Sequence, residues 1–456
     1  MLCVRFPQVN LEQLLLRLRE DPQRTALCVS GVSERPELDH LKVMYHRTLS
    51  FSRSPGGRHF NHGLRPLLVR LTRGLSATEI PKEFLTEVKI TGKGLGLLFL
   101  LRGETLRGYY AGADELQISE PAWLTVPGPR MQRLRLLPLE EPSKGSMSDS
   151  RAAVSDDSTK DADRIYMEQW RNRYGRLAGA LGNGNTEVGF ELLIRARKLK
   201  VVVVGAGRAG SWLAFRLASC GVGSEAALVI IDPDTVEESN LSDMLVPFGA
   251  VGWPKAQAVA STIAAMIPDS LPTFINTGLG SQEAMDEICS ADIVFTTVDE
   301  DSSRLGIAVS ASRFHVVHFD VTGGCSWVND NQAISGGEVR GFVPGSPGCL
   351  VCMSRPNWRE ATKLLGLSVE QERARRAKLD WRKQRAGSSA DILWTVLAET
   401  MQNFWALLRG DLSESFWWHY RKGRKGMPVW EDWSRRKSWM KCRVCGGQSG
   451  LGDIVK

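Results

Sequence analysis

Continuously apolar runs alternate with amphipathic stretches through the second half of the chain. The runs that predict strands are KLKVVVV (198–204), ALVIIDPD (227–234), ADIVFTTVD (291–299) and VVHFDVTGG (316–324). The stretches that predict helices, by the helical spacing of their apolar positions, cover residues 210–221, 254–267 and 303–314. Strands that are apolar on both faces and alternate with helices are typical of a parallel sheet covered on both sides. The pattern therefore predicts a doubly wound, mostly parallel α/β domain.

A polar segment separates this domain from the first part of the chain. Residues 140–163 are rich in Ser, Asp and Lys and contain few large apolar side chains. Such a segment buries too little apolar surface to offset the entropy of ordering, so we expect a flexible linker. It divides the chain into a smaller N-terminal α+β domain (1–139), where predicted helices alternate with short strands, and a larger domain (164–456). A helix is predicted where linker and larger domain meet, over residues 163–181.

The composition is that of a globular protein with more than one core. The chain has 456 residues, of which 43% are hydrophobic and 24% are charged. It has no apolar run long enough to span a bilayer, and its N-terminal segment mixes charges into an amphipathic pattern unlike a signal peptide. We therefore expect a cytoplasmic protein that does not associate with membranes.

The positive charge of the chain is concentrated in one segment. The net charge is +7, and within residues 353–441 Lys and Arg outnumber Asp and Glu by about two to one. The same segment holds nine of the fourteen tryptophans. A solvated helical surface around a Trp-rich core explains both features, and a docking face for an acidic protein partner is the main alternative. Nucleic acid is the least favoured of the three interpretations.

The first predicted strand runs into a glycine-rich turn, GAGRAG. Gly205, Gly207 and Gly210 fit the spacing G-x-G-x-x-G between a strand and a helix, where they allow a tight turn, close approach to phosphate and close helix packing. Phosphate then meets the N–H groups at the helix start. Asp232 follows Gly210 by 22 residues, where a carboxylate can hydrogen-bond a ribose hydroxyl. These residues suit NAD, FAD, S-adenosylmethionine or ATP equally well.

Five further elements distinguish between these nucleotides. RYGR precedes the turn, and DPDTVEESNL, GWPKAQAV, TTVDEDSSR and two C-x-x-C pairs follow it in that order. The set resembles the ThiF/MoeB superfamily of adenylating enzymes, which includes the ubiquitin-activating enzymes. The resemblance covers about residues 164–351 and resumes at Cys442. It implies a Rossmann-like adenylation domain and an adenylyltransferase, a nucleotidyltransferase that consumes ATP with Mg²⁺.

The family's activity implies a substrate and roles for several residues. Its members adenylate the C-terminal carboxylate of a ubiquitin-like or sulfur-carrier protein, commonly one that ends in Gly-Gly. By resemblance Lys255, in GWPK, reaches the ATP phosphates, although an ordinary lysine at a helix start is the alternative. Asp299 resembles the catalytic aspartate that holds magnesium, and Arg304 matches the arginine that accompanies it at the nucleotide.

Three more positions match the family's nucleotide contacts. Asp232 resembles the ribose ligand. Asn240, in ESN, matches a polar contact near the nucleotide, although an asparagine there can also cap the next turn. Arg176 matches the arginine that reaches the phosphates, in relatives often across a homodimer interface. The resemblance therefore implies a homodimer.

One departure from the family pattern affects the phosphate site. Relatives commonly have SNLxRQ, with an arginine on the triphosphate, and this chain has SNLSDM, which places Asp243 there. An acid beside a triphosphate opposes binding unless another cation replaces the arginine. Arg208, inside the glycine turn, is the candidate replacement and is included among the catalytic residues. Without such compensation we expect a weakened or inactive adenylation domain.

Four cysteines occur as two close pairs. Cys349 with Cys352 and Cys442 with Cys445 form two C-x-x-C motifs, which together supply a closed tetrahedral site for structural Zn²⁺. By resemblance the interval between them, 353–441, is the family's crossover insertion, which we expect to be helical. It contains no cysteine, so a thioester there is not supported and the adenylate would pass to an external thiol, with a conjugating enzyme as second candidate partner.

The N-terminal domain bears a faint likeness to JAB/JAMM metalloprotease-like domains, which need H-x-H followed by S-x-x-D. This chain has HFNH, with His59 and His62, and SATE over residues 76–79, which depart from that pattern, and ordinary surface histidines are the alternative. If the domain has this fold, we expect a degenerate, non-catalytic copy used for recruitment.

The resemblance leaves other functions open. The same chemistry could modify a peptide in place of a carrier protein. A catalytically weak scaffold that binds a ubiquitin-like protein or its conjugating enzyme is the alternative outside catalysis, and a dehydrogenase is the most remote one.

Overall fold

A computed structural model gives the fold. It describes residues 2–20, 25–35, 40–52, 65–73, 84, 88, 95–102, 105–112, 122–128, 131–138, 157–329, 332–353, 371, 390–422, 428–434, 442, 444–446 and 449–450. HFNH, SATE, residues 139–156 and most of 354–389 lie outside the described residues. In the part that is described, no helix combines the length and the apolar character needed to cross a bilayer.

The N-terminal part is a closed barrel of eight strands with one helix beside them. Its elements are β1 (Leu2–Arg5), α1 (Gln8–Glu20), β2 (Thr25–Arg35), β3 (His40–Ser52), β4 (Arg65–Arg73), β5 (Leu95–Arg102), β6 (Thr105–Gly112), β7 (Ala122–Val126) and β8 (Gln132–Pro138). The strand order is β1-β3-β2-β4-β5-β6-β8-β7, and β1 pairs in parallel with both β3 and β7. Closure removes the exposed edges that an open sheet would present.

Apolar side chains fill the barrel. Val4, Leu67, Leu97 and Phe99 are fully buried in one cluster, and α1 adds Leu18 to it. We expected helices and short strands in alternation, but the described residues of this half are mainly strands. The difference arises because several of these strands pair with distant strands, and a single short run does not reveal such pairing.

The larger domain begins with helices and a parallel sheet. In chain order it comprises α2 (Asp157–Leu181), α3 (Thr186–Arg197), β9 (Val201–Val204), α4 (Arg208–Ala218), β10 (Leu228–Ile231), α5 (Lys255–Met266), β11 (Thr273–Ile275), α6 (Gln282–Ser290), β12 (Ile293–Thr296), α7 (Asp301–Phe314) and β13 (Val317–Asn329). The order β11-β10-β9-β12-β13 is parallel throughout. Every residue of β9, β10 and β12 is buried. This sheet agrees with the doubly wound prediction.

Three antiparallel strands extend the sheet. They are β14 (Gln332–Phe342), β15 (Phe416–Lys422) and β16 (Pro428–Asp432), with the short α8 (Leu350–Met353) and the long α9 (Ala390–Arg409) between the first two. The expectation that residues 353–441 form a helical insertion is therefore wrong for β15 and β16. The aromatic run FWWHY favours a strand, and it pairs with β14 at the sheet edge.

The first helix of the domain begins earlier than expected. Helix α2 starts at Asp157, so residues 157–163 belong to it and not to the linker. The sequence of this stretch is rich in Asp, a residue type that is also favoured in the first turn of a helix.

The barrel meets the larger domain at the C-terminal ends of two helices. Arg5, which is buried, donates from Nη2 to the Ser290 carbonyl at 2.7 Å and from Nη1 to the Phe314 carbonyl at 3.0 Å. These are the last residues of α6 and α7. His315, just beyond α7, contacts the Tyr45 carbonyl of the barrel. A cation on terminal helix carbonyls satisfies groups that have no partner within the helix.

Candidate nucleotide site and cysteine cluster

The glycine turn is tightly packed on one side and open on the other. Gly205 has φ +96°, a conformation that L side chains rarely adopt. A Cβ on Gly210 would lie 1.7 Å from the Gly205 carbonyl oxygen, whereas a Cβ on Gly207 would have nothing within 4 Å. Helix α4 starts at Arg208, next to that open position, with no side chain capping it. The N–H groups of its first turn are the kind that bind phosphate.

Two neighbouring strand ends hold the turn in place. Thr297, after β12, donates from Oγ1 to the Gly205 carbonyl at 2.8 Å. Asp232, after β10, accepts the Ala206 N–H at 2.6 Å with one oxygen and the Asp234 N–H at 2.8 Å with the other. Burial raises the pKa of the Asp232 carboxyl, and nearby Lys255 opposes that rise. Asp232 thus stabilises the glycine turn through the Ala206 N–H. Its contact with ribose stays a prediction.

Lys255 begins helix α5 and lies beside Asp234. Its Nζ is 3.2 Å from Asp234 Oδ2, and its backbone N–H donates to the Asp234 carbonyl at 2.8 Å. Lys255 is 15% exposed and Asp234 is 45% exposed, so the carboxylate is the more accessible partner. No role was predicted for Asp234, although its position in DPD, two residues after Asp232, places it at the same strand end.

Arg208 and Asp243 are partners in the structure. Arg208 Nε lies 3.4 Å from Asp243 Oδ2, and both side chains are partly exposed. Trp212 Nε1 donates to the Asp243 carbonyl at 2.8 Å, and the Leu245 N–H donates to Ser211 Oγ at 3.1 Å. The segment around Asp243 is therefore fixed against the first turns of α4. The acid that departs from the family pattern is paired with the arginine expected to compensate for it.

Asp299 and Arg304 differ in exposure. Asp299 follows β12 and is exposed. Arg304, in the first turn of α7, turns back: its Nε and Nη2 both donate to the Val298 carbonyl, at 3.1 and 2.6 Å, and its Nη1 is 3.5 Å from Asp320 Oδ2. Arg304 is mostly buried in this arrangement.

Asn240 and Arg176 have local environments that leave their predicted roles untested. Asn240 Oδ1 accepts the Glu237 N–H at 3.0 Å, which is the capping alternative raised from the sequence. Arg176 is exposed on α2, and the described contacts include none between it and the glycine turn.

The remaining predicted residues meet at one edge of the sheet. Val204 is in register with Ile231 and with Thr296, so the segments that follow β9, β10 and β12 leave the sheet side by side. These segments carry the glycine turn with Arg208, the Asp232–Asp234 pair and Asp299. Lys255 is tied to the same edge through Asp234. This edge combines open backbone N–H groups, two cations and an exposed carboxylate.

The four paired cysteines form one cluster. Their sulfur atoms all lie within 4.8 Å of one another, and the closest pairs are 3.5 Å (Cys352–Cys445), 3.7 Å (Cys349–Cys442) and 3.9 Å (Cys349–Cys352). A tetrahedron with zinc–sulfur bonds of about 2.3 Å has sulfur–sulfur edges of about 3.8 Å. The residues therefore fit a zinc ion with four thiolate ligands and no open coordination position.

The cluster lies at the C-terminal end of α7. Ser312 Oγ is 3.4 Å from the Val444 carbonyl, and Phe314 packs in the same apolar cluster as Cys349 and Cys352. An apolar, closed environment suits a structural metal.

Two buried charges on β13 and β14 were not predicted from the sequence. Asp320 and Arg340 are directly opposite each other in β13 and β14, and their side chains are 2.7 Å apart. Asp320 interrupts the apolar run VVHFDV, and a charge inside a predicted buried strand was the available signal.

Comparison with known proteins shows a family to which this part of the chain is similar. Residues 183–371 match the ThiF family. The curated relatives include a ubiquitin-like modifier-activating enzyme 5 from Drosophila mojavensis, 28% identical over 40% of this chain and 45% of the relative. They also include a SAMP-activating enzyme E1 from Haloferax volcanii, 34% identical over 26% of this chain and 43% of the relative. The chain thus spans less than half the length of these relatives.

Solved structures of E. coli MccB are also similar to this chain. The complex of MccB with ATP is 18% identical over 65% of this chain and 83% of MccB, with a TM-score of 0.45.

The ThiF/MoeB resemblance inferred from the motifs is confirmed, because the matched residues 183–371 include the glycine turn, Lys255, Asp299 and the first cysteine pair.

Proposed function

We propose that this protein is an ATP-dependent adenylyltransferase that activates the C-terminal carboxylate of a ubiquitin-like or sulfur-carrier protein. The observation that carries the proposal is the meeting of the glycine turn, Lys255 and Asp299 at one sheet edge. A nucleotide used as a redox carrier needs no pair of cations and no metal-binding carboxylate at this edge. A nucleoside triphosphate that is cleaved needs both.

The proposed reaction uses these residues as follows. The phosphates lie on the N–H groups that open α4, and Lys255 and Arg208 neutralise them. A carboxylate oxygen of the carrier attacks the α-phosphorus, the bond from that phosphorus to the bridging oxygen breaks, and pyrophosphate leaves. The product is an acyl-adenylate. Lys255 and Arg208 stabilise the negative charge that develops on the departing pyrophosphate.

Asp299 is the proposed magnesium residue. An exposed single carboxylate suits this metal, which keeps several waters and takes its other ligands from substrate phosphates. When bound, Mg²⁺ supplies charge neutralisation on the triphosphate.

Both proposed phosphate cations are paired with carboxylates. Lys255 is paired with Asp234 and Arg208 with Asp243. Such pairs keep the cations in place and in partly exposed positions, where a phosphate can replace the carboxylate. The Arg208–Asp243 pair also supports the alternative of a weak scaffold, because Asp243 opposes the triphosphate unless Arg208 leaves it.

Further parts of the proposal concern partners and metal. With no cysteine in residues 353–441, the adenylate would pass to an external thiol, such as that of a conjugating enzyme. Arg176, exposed on α2, would act across a homodimer interface. The cysteine cluster would hold structural Zn²⁺, and the protein would work in the cytoplasm.

Exchange of pyrophosphate into ATP tests the proposal. We expect exchange that depends on an added carrier protein ending in Gly-Gly and that is lost in Lys255→Ala and Arg208→Ala. Asp286→Asn, on helix α6, is the control and should exchange normally. Exchange with a short peptide alone would favour peptide modification, and carrier binding without exchange would favour the scaffold.

A further inference from the structure

A buried cluster of charges lies on β13 and β14, beside β12, the strand that precedes Asp299. Asp320, 1% exposed, is near the start of β13 and contacts two arginines. Arg340 Nη2 is 2.7 Å from Asp320 Oδ2, and Arg304 Nη1 is 3.5 Å from the same oxygen. Glu338 lies 3.4 Å from Arg340 on the same strand. Charged side chains are tolerated in a protein interior when each is paired with an opposite charge, and each of these four side chains has such a partner.

Within this cluster Asp320 is charged and the neighbouring His318 is neutral at pH 7. Burial alone would raise the pKa of the Asp320 carboxyl, but Arg304 and Arg340 hold it below its usual value. Burial lowers the pKa of neighbouring His318 to about 4, so this ring is neutral at pH 7 and hydrogen-bonds with Thr296 Oγ1 at 2.7 Å. Asp320 therefore remains charged and holds Arg304 by attraction.

Arg304 uses this support to hold one peptide group. Its Nε and Nη2 form a fork on the Val298 carbonyl, which is the carbonyl of the peptide bond to Asp299. On the other side, Thr297 is bound to the Gly205 carbonyl. The backbone immediately before Asp299 is therefore fixed both to the glycine turn and to Arg304.

We propose that Arg304, held by Asp320, is a positioning residue that places Asp299 for the magnesium–nucleotide complex and does not itself contact the nucleotide. The inference rests on the proposed function, and it replaces the expected ATP contact of Arg304 by an action through Val298. Lysine cannot replace the planar fork, because it is a point charge without a second donor in fixed geometry.

Loss of the Arg304 fork should weaken the magnesium-dependent part of ATP binding more than the part that does not depend on the metal. Without the fork, Asp299 samples several positions, and the metal-dependent part of binding weakens because the site is no longer preorganised. The contacts of the glycine turn, by contrast, do not pass through Arg304. Loss of a charge-assisted hydrogen-bond pair corresponds to about a tenfold weaker affinity.

Two substitutions in the same cluster separate positioning from structural support. Arg304→Lys and Arg340→Lys each keep a positive charge beside Asp320, but only Arg304 contacts the Val298 carbonyl. Calorimetry should measure the dissociation constant of ATP for the whole protein, once with Mg²⁺ and once with EDTA. Thermal unfolding should be recorded for each variant.

We expect Mg²⁺ to tighten ATP binding in the unchanged protein. Arg304→Lys should lose about tenfold of that gain while its affinity in EDTA stays within about twofold, and Arg340→Lys should keep the gain at a similar cost in melting temperature. If Arg304→Lys does not fold, Asp320→Asn should show the same loss of the magnesium gain.

Four results would overturn the inference, three of them in the variants. Those three are a full magnesium gain in Arg304→Lys, equal loss of binding with and without metal, and losses in both lysine variants that simply follow melting temperature. Absence of any magnesium gain in the unchanged protein would overturn it as well. Failure of pyrophosphate exchange with an intact magnesium gain would instead remove the proposed adenylation and leave the positioning role of Arg304 in place.

Discussion

The two ends of helix α7 differ in how their polar groups are satisfied. At its N-terminal end, Asp299 is exposed and the cations of the neighbouring strand ends are held by carboxylates that are themselves partly exposed. At its C-terminal end, Arg5 binds the Phe314 carbonyl, His315 contacts the barrel, and the cysteines close on one another. The N-terminal end therefore has polar groups that a ligand can contact, whereas the polar groups at the C-terminal end are bound by other parts of the protein.

Because the two ends differ in this way, we expect substitutions at one end to change stability and substitutions at the other to change ligand binding. Where a polar group is buried and satisfied by the protein, its removal lowers the free energy of unfolding, because the partner is left without a hydrogen bond. Where a charged group is exposed and fixed by neighbours, its removal affects ligand binding and leaves stability nearly unchanged.

Removal of one cysteine should have the largest effect. Cys349→Ser should lose most of the bound zinc and destabilise the protein by several kcal/mol, because the free energy of zinc binding is coupled to folding. Metal analysis and thermal unfolding measure both changes. Cys289→Ser is the control, since Cys289 lies outside the cluster and its substitution should retain zinc. Full zinc content in Cys349→Ser would remove the four-cysteine site.

Removal of the exposed carboxylate should abolish activity without unfolding the protein. Asp299→Asn should lower pyrophosphate exchange about a hundredfold or more, because charge neutralisation on the triphosphate is lost. Its melting temperature should match that of the unchanged protein, since the exposed side chain contributes little to stability. A large fall in melting temperature would show that this end is also closed.

Removal of Arg5 should have the opposite pattern. Arg5→Ala should lower the free energy of unfolding by about 2–3 kcal/mol, because two helix-end carbonyls lose a charged donor. Binding of ATP measured by calorimetry should change little. The control is Arg17→Ala on the exposed face of α1, and equal destabilisation by both variants would contradict the role of Arg5 between barrel and larger domain.

Removal of the acid beside the glycine turn should have the smallest effect and the opposite sign. Asp243→Asn should strengthen ATP binding about two- to fivefold, because Arg208 no longer has to leave a carboxylate in order to reach a phosphate. Glu238→Gln, an exposed change in the same segment, should leave the affinity unchanged. Weaker binding in Asp243→Asn would mean that Asp243 orients Arg208 for the nucleotide.

Local patterns predicted the parts of the site that depend on short segments. The strand–turn–helix around Gly205 was predicted from a four-valine run and from the spacing of the glycines. Both features depend on residues that are close together in the sequence. The cysteine cluster follows from two motifs whose chemistry requires them to meet. The parallel sheet follows from strands that are apolar on both faces.

Long-range contacts account for what the sequence did not predict. The spacing between Asp299 and Arg304 predicts one turn of helix but not that the guanidinium turns back to Val298, because Asp320 and Arg340 direct it from strands farther along the chain. Strand β15 pairs with β14 across the intervening helices α8 and α9, and the expected helical insertion did not include that long-range pairing. Closure of the barrel depends on β1 meeting β7, which lies more than a hundred residues later.

The products formed from ATP show whether the protein adenylates a carrier protein. The protein should be incubated with ATP, Mg²⁺ and a carrier protein ending in Gly-Gly, and the nucleotides and the carrier should then be analysed by chromatography and mass spectrometry. We expect pyrophosphate together with AMP joined to the carrier's terminal carboxylate, and neither product with Asp299→Asn. Formation of ADP and phosphate, or an unmodified carrier beside intact ATP, would contradict it.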